Sequence, residues 1–270
     1  MKIALCATHQ GLIDMLQALL AHHEVHVYSN TVYYDTTFAF QDEDVIISTF
    51  PYKELPFLDG SKPVILYASD PFPNLQAFLA IQDAPWLTIV GDTMGESSYL
   101  KNYPVHPTIH IPHSINPTTI SAYTGEKPAV AIVSRKPFMR WSAIITRHHP
   151  EGMLLEEFLS TIPYHVLHIP NRQDFFSELA RFRAVFYYSN NPYTLMMYEL
   201  MAMGMPMVAY SHSYGTTHAL DYYGIPHSTE AKACQQLLTV LLKTPTKQAY
   251  PLPSFEDVQQ QWEEVLCAIK

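Results

Sequence analysis

Glu199 is the residue whose placement most invites chemistry. It stands in the run Tyr193-Thr194-Leu195-Met196-Met197-Tyr198-Glu199-Leu200-Met201-Ala202-Met203 as its one charged side chain. The run carries helix punctuation: Ser189-Asn190-Asn191 leads in, Pro192 stands near the first helical position, Gly204 falls just past the end and Pro206 blocks continuation. A helix this apolar is buried around most of its circumference, where a carboxylate is costly unless something donates hydrogen bonds to it. Two donors fit, an internal arginine or the vicinal hydroxyls of a ribose. The N–H groups at the helix start, around Tyr193 to Leu195, offer a site for phosphate oxygens. A phosphate at the tip and a hydroxyl-binding acid about one to two turns further in match the dimensions of a nucleoside diphosphate.

A second group supplies the opposite charge. The chain has 16 Lys and Arg against 25 Asp and Glu, a formal net charge of −9. Yet Arg135, Lys136 and Arg140 follow closely on the apolar run Ala129–Ser134. Ligands of open α/β sheets bind at the carboxyl ends of strands. There Arg135 and Arg140 can clamp a diphosphate with bidentate hydrogen bonds and neutralise charge on a departing phosphate. A solvated basic turn is the other reading of the same cluster.

Other chemistries find less support. The acidic balance argues against gripping a phosphate backbone. Among 14 histidines the close pairs are His22/His23, His110/His113, His148/His149 and His165/His168. None falls in an HExxH pattern, so no protein-built metal site is expected. Cys6, Cys234 and Cys267 lie far apart without a CxxC pair. This argues against a disulfide framework or a zinc knuckle and for a reducing, cytoplasmic setting. No apolar run approaches the ~20 residues of a membrane span, and Met1–Ala7 reads as the start of the fold rather than a signal peptide. The 18 tyrosines, among them Tyr33-Tyr34, Tyr187-Tyr188 and Tyr222-Tyr223, can pack on helices or offer stacking faces to a sugar or base.

The surrounding elements alternate. Lys2–Ala7, Glu24–Tyr28, Asp44–Ser48, Pro63–Ala68 and Trp86–Gly91 read as strands. Helices fall after Gly11 (Leu12, Ile13, Leu16, Leu19, Leu20) and over Leu75–Ile81. From Tyr103 to Pro128 the chain carries Pro104, Pro107, Pro112, Pro117 and Pro128 with little periodicity, the character of an ordered interdomain connector. The rhythm then restarts. Strands are expected at Ala129–Ser134, His165–Ile169, Ala184–Tyr188 and Met207–Tyr210. Helices are expected at Leu154–Thr161, Phe175–Phe182, Tyr193–Met203 and Ala231–Leu242. Ser254–Ile269 closes the chain as an amphipathic helix, with Ser254 as N-cap and Asp257 in its first turn. The composition, 48% apolar and 15% charged, supports folded domains. The reading is α/β: two doubly wound Rossmann-like domains, 1–115 and 116–253, and a C-terminal helix, 254–270.

Taken together, these motifs resemble the GT-B glycosyltransferases, in particular the retaining family 4 type. Ile111-Pro112-His113-Ser114-Ile115-Asn116 is similar to that family's interdomain "IPNGID" segment. Ile132-Val133-Ser134-Arg135 followed by Arg140 is similar to its "VGR…K" motif, whose two cations bind the donor diphosphate. Asn191 to Pro206 resembles "EGFGLTxLEAMAxGxP". The resemblance implies that Glu199 holds the donor ribose and that the amides of Thr194 and Leu195 meet the diphosphate. It sets Asn191 where the first glutamate of the pair stands, and reduces the glycine-rich N-terminal loop to Gln10-Gly11. The closing helix with Trp262 resembles the segment that crosses back to the N-terminal domain. Ser69-Asp70-Pro71 sits where the family has a histidine-bearing loop. Asp70 is thus a candidate for contacting the transferred sugar or the acceptor hydroxyl, or else the N-cap of the helix after it.

The expectation is a glycosyltransferase moving a sugar from a nucleotide-diphosphate sugar to an acceptor hydroxyl, with retention. Arg135, Arg140 and Asp70 act at the reacting centre, and Glu199, Asn191, Tyr193, Thr194, Leu195 and Gly11 bind the donor. No metal or further cofactor is expected. The acceptor stays open among saccharide, lipid, protein and modified nucleobase. The alternative is a catalytically inactive GT-B-like nucleotide-binding or structural protein, favoured by the loss of the first glutamate. A nicotinamide-dependent dehydrogenase needs a GxGxxG turn, and Cys6-Ala7-Thr8-His9-Gln10-Gly11 holds a single glycine.

Overall fold

The computed structural model describes residues 1–7, 10–28, 40, 42–49, 60–68, 83–91, 109–133, 161–167, 169, 171–188, 195–210 and 220–269. The chain divides into two compact units, Met1–Asn116 with Pro253–Lys270 and Pro117–Leu252.

The first unit is built on β1 (Lys2–Cys6), α1 (Gln10–Leu19), β2 (Glu24–Tyr28), β3 (Val45–Ser48), β4 (Val64–Ala68), β5 (Leu87–Gly91) and β6 (Ile109–His110). These strands form a six-stranded sheet in the order β2-β1-β3-β4-β5-β6. Every neighbouring pair is parallel. Strands covered on both faces become continuous apolar runs; Ile3, Leu5, Ile47, Ile65 and Leu66 are fully buried. β2 lies at an edge, and its Val27 is partly exposed. α1 buries Leu12, Ile13, Leu16 and Leu19 of the predicted stripe and Met15 besides, and Leu20 just past its end is buried too.

The second unit contains β7 (Lys127–Val133), β8 (Tyr164–Leu167), α2 (Arg172–Leu179), β9 (Phe182–Tyr188), α3 (Leu195–Met203), β10 (Met207–Tyr210), β11 (His227–Ser228) and α4 (Ala231–Lys243). Its five strands are again parallel, in the order β11-β10-β9-β7-β8. Val130, Ile132, Phe186 and Val208 pack in one cluster with Cys234 and Leu238 of α4. The chain then enters α5 (Phe255–Ala268). Ser254 caps this helix by accepting from the Asp257 amide at 3.0 Å. Its buried face is Val258, Trp262, Val265 and Leu266. Trp262 meets the Tyr67 ring edge-on at 5.5 Å, and Gln259 donates to the Leu19 carbonyl at 3.1 Å. The closing helix therefore belongs to the first unit, and the fold class is the expected α/β pair of doubly wound units with a returning helix.

Three local expectations shift. The proline-rich stretch contains β6, which pairs with β5, and a 3-10 turn at Pro117–Thr119; a two-residue strand is too short to show a period. The helix expected at 175–182 starts earlier, at Arg172, because Asn171 caps it, and Phe182 instead opens β9. The strand expected at 165–169 runs Tyr164–Leu167. The helix expected at 75–81 lies outside the described residues, as does the one expected at 154–161 apart from Thr161, which stands in a turn. Among the described residues no helix is long and apolar enough to cross a membrane.

The cysteines report on this packing. Cys6 and Cys234 are buried and Cys267 is exposed. Burial pushes the Cys234 thiol up to about 12, which removes the thiolate that reacts with alkylating agents. At pH 8 in native buffer, iodoacetamide is expected to modify Cys267 and to spare Cys234 and Cys6, with all three modified in denaturant. Peptide mass spectrometry reads the result, and native labelling of Cys234 at the rate of Cys267 would contradict the packing of α4 on the sheet.

Candidate functional site

The second sheet directs attention to one edge. β7 is entered first, β8 lies on one side of it and β9 on the other, so the strand order reverses at the boundary of β7 and β9. Ligands of such sheets bind beyond the carboxyl ends of the strands at this reversal. β7 and β9 are direct parallel neighbours, with Ile132 opposite Phe186. Residue 134 follows the end of β7, and residue 189 follows the end of β9. Both sequence-expected binding segments thus leave from adjacent strand ends. Arg135, Arg140, Asn191, Tyr193 and Thr194 themselves lie outside the described residues, as does Asp70 beyond the end of β4.

Leu195 opens α3 and is buried, and Glu199 follows one turn later. Leu195, Met197, Tyr198, Leu200, Met201 and Met203 are all buried around it. Glu199 is itself only 2% exposed. Its Oε1 meets Nη2 of Arg172 at 2.5 Å. Of the two donors open to this acid from the sequence, an internal arginine is therefore present. Arg172 is the first residue of α2, after the N-cap Asn171, whose side chain accepts from the Asp174 amide. Its guanidinium lies 4.9 Å over the ring of Phe176, which is fully buried. The two partners are unequal: the Arg172 side chain is 36% exposed, so the pair has a dry acid inside and a solvent-facing cation outside. Removing the cation strands a buried charge, whereas removing the acid releases an arginine that water can solvate.

Sequence reasoning did not find Arg172, because no spacing rule links residues on two different helices. One local signal was present. A cation in the first turn of a helix opposes the helix dipole, at about 0.3–1 kcal/mol.

α3 is held firmly at its far end. Gly204 adopts φ +76°, its amide donates to the Met201 carbonyl at 2.9 Å and the Met205 amide to the Leu200 carbonyl at 3.0 Å. This is the Schellman arrangement that the Gly204 position predicts. A Cβ at Gly204 would also come within 2.8 Å of the Lys247 side chain. The Gln248 amide donates to the Gly204 carbonyl at 3.0 Å, the Tyr250 hydroxyl to the Met205 carbonyl at 2.7 Å, and the Tyr123 amide to the Met203 carbonyl at 3.2 Å. Glu199 therefore rides on an element fixed from several directions, as precise ligand contacts require.

In the first unit Gly11 is buried in the first turn of α1, just beyond β1. The segment Ile111–Asn116 buries Ile111, His113 and Ser114, and His113 Nδ1 shares a 2.7 Å hydrogen bond with the Tyr67 hydroxyl. Among the described residues no group of three or more His, Cys, Asp or Glu is arranged to hold a metal ion.

No family model matches the sequence, and no curated protein is detectably similar to it. Solved structures are similar in shape over almost the whole chain. Sucrose-phosphate synthase from Thermosynechococcus elongatus superposes with a TM-score of 0.68 at 12% identity, covering 99% of this chain and 98% of that one. Anabaena HepE in complex with UDP and glucose gives 0.59 at 12% identity, over 99% and 100% of the two chains. WaaG, a glycosyltransferase involved in lipopolysaccharide biosynthesis, gives 0.56 at 10% identity, over 97% and 93%. With two parallel α/β units and a last helix that rejoins the first, this chain has the fold of the GT-B glycosyltransferases.

Proposed function

We propose that this protein is a glycosyltransferase that moves a sugar from a nucleotide-diphosphate sugar to an acceptor hydroxyl, with retention at the anomeric carbon. The observation that carries this reading is the parallel pairing of β7 with β9. It starts the segment of Arg135 and Arg140 and the segment leading to Glu199 from neighbouring strand ends at the edge where such sheets bind ligands. Arg135 and Arg140 take the donor diphosphate, the amides at Thr194 and Leu195 add hydrogen bonds at the helix tip, and Glu199 accepts from the ribose. In the transfer the bond from the anomeric carbon to the diphosphate oxygen breaks and a bond to the acceptor oxygen forms. The acceptor proton passes to the departing diphosphate, whose growing charge the two arginines neutralise, the task a metal ion performs elsewhere. Asn191 contacts sugar or phosphate, Gly11 joins the donor-binding set, Asp70 contacts the transferred sugar or the acceptor hydroxyl, and the cysteine spacing fits a cytoplasmic setting.

Asn191 in place of an acid supports a second reading, a GT-B-like protein that binds nucleotide without turnover. A thermal-shift series with UDP, GDP and ADP, alone and as common sugar conjugates, tests the binding step. UDP comes first because HepE carries it. At about 100 times Kd the expected stabilisation is about 5–10 °C. No shift with any of these nucleotides would remove the donor site. A shift without release of nucleotide from any sugar conjugate, across a panel of acceptors, selects the second reading.

A further inference from the structure

We infer that His26 is a proton-operated clasp: its imidazolium ties the stretch entering β3 to the edge strand β2, and the tie loosens when the ring loses its second proton. The inference concerns the first unit alone and is independent of the donor-site reading above.

The sequence sets out the row. Side chains of a strand alternate between its faces, so Glu24, His26 and Tyr28 of β2 share one face and Val25 and Val27 the other. β2 lies at the edge of the sheet, and residues 29–44 join it to β3. Near the end of that stretch, Glu43 meets the row. Its side chain is 4% exposed and accepts from the Tyr28 hydroxyl. His26 stands between two acids: Nδ1 lies 3.1 Å from Oε1 of Glu43, and Nε2 lies 3.0 Å from Oε1 of Glu24. Among the other charged groups here, Lys62 Nζ donates to the Glu43 carbonyl, Asp44 Oδ2 accepts from the Lys2 amide at 2.7 Å, and Asp42 adds negative charge beside Tyr28. Phe40, in the same stretch, meets the Tyr28 ring edge-on at 5.4 Å and packs in an apolar cluster with Cys6 and Ile46.

The chemistry follows from the two ring nitrogens. A neutral imidazole has one donor and one acceptor nitrogen. With a carboxylate oxygen at each end, one lone pair then faces another. Only the imidazolium donates both ways, and both bonds are then charge-assisted. The hydrogen bond to Glu43, and after it the one to Glu24, holds His26 above its ordinary value. Burial works against the charge of Glu43, yet the bonds from Tyr28 and His26 outweigh it and hold that carboxyl below the usual range. The His26 side chain is 39% exposed, so its proton exchanges with water. When the ring loses a proton, the remaining one stays on Nδ1, because the buried Glu43 cannot turn to water and the 58% exposed Glu24 can. The Glu24 contact opens and the Glu43 contact loses its charge assistance. A folded value above the unfolded one makes the clasp complete below the ordinary histidine pKa of about 6.5 and lost as pH rises through the higher value of the folded ring. The stretch it holds leaves from the carboxyl end of β2, the side on which ligands of such sheets bind.

The test is NMR on the full chain at pH 6 and pH 9, for the wild type, His26→Gln and Glu24→Gln. The reporter is the Asp44 amide, which donates to the Lys2 carbonyl at 2.8 Å, its hydrogen exchange being divided by the intrinsic rate at each pH. Wild-type protection is expected to fall by about threefold or more from pH 6 to pH 9. His26→Gln keeps hydrogen-bonding groups without a charge, and its protection is expected to match the wild-type pH 9 level at both pH values. Ring nitrogen shifts are expected to show the imidazolium at pH 6 and the Nδ1–H tautomer at pH 9. Glu24→Gln, a change at an exposed position, is expected to make His26 titrate at lower pH and keeps the test open if His26→Gln folds poorly. A neutral His26 at pH 6 overturns the proposal, as does a pH dependence of protection that is the same in His26→Gln as in the wild type. Protection lowered by one factor at both pH values in His26→Gln also overturns it, in favour of a purely structural contact. A His26 titration unmoved by Glu24→Gln overturns it as well.

Discussion

Alanine at both Arg135 and Arg140 is expected to remove nearly all sugar transfer while the protein stays folded. In the proposed transfer the two guanidinium groups act on charge that appears as the diphosphate departs, which would concentrate their effect in the transition state rather than in the bound donor. Removing a single preorganised donor to developing negative charge costs about 10²–10³ in kcat. Arg135→Ala alone is therefore expected to lower kcat more than it raises KM for the donor. The single variants are expected to be milder than the double, because either cation partly covers for the other. Initial rates of nucleotide release across donor concentrations separate kcat from KM. A double variant with wild-type kcat would take both arginines out of the reaction.

The second large effect is expected at Glu199. Glu199→Ala deletes a carboxylate that is 2% exposed and frees Arg172, whose side chain is 36% exposed and can be hydrated. Because the cation has water to turn to, the cost to stability is expected to fall below the 3–5 kcal/mol range typical of broken buried pairs. Nucleotide binding bears the larger loss. Hydrogen bonds to a charged acceptor contribute about 1.5–3 kcal/mol each, so Kd for the nucleoside diphosphate is expected to rise about tenfold to a hundredfold. Calorimetry with UDP or the stabilising nucleotide measures this, and urea unfolding measures stability separately. A large loss of stability with unchanged nucleotide affinity would make the Arg172–Glu199 pair purely structural.

Much of the architecture was written in local pattern. Apolar runs such as Lys2–Ala7 and Pro63–Ala68 became the parallel strands β1 and β4, and the Ser254 cap and the Gly204 stop appear with the hydrogen bonds their positions imply. These features depend on neighbours close in the chain, so periodicity and capping chemistry suffice to read them. β6 escaped because two residues carry no period. α2 began before its expected start because the strength of the Asn171 cap outweighed an apolar count centred further along. The burial of Glu199 was legible from its greasy helix, whereas the identity of its partner was not.

Residue order alone therefore announces a doubly wound α/β chain, a closing helix with Trp262 on its buried face, and one acid that must find a counterpart. Folding in three dimensions settles strand order, the adjacency of β7 and β9, and the meeting of Arg172 with Glu199. The division has a physical origin. Side-chain periodicity tells which faces leave water, but the choice of neighbour on a buried face depends on crossovers between elements far apart in the chain, and these leave no local mark.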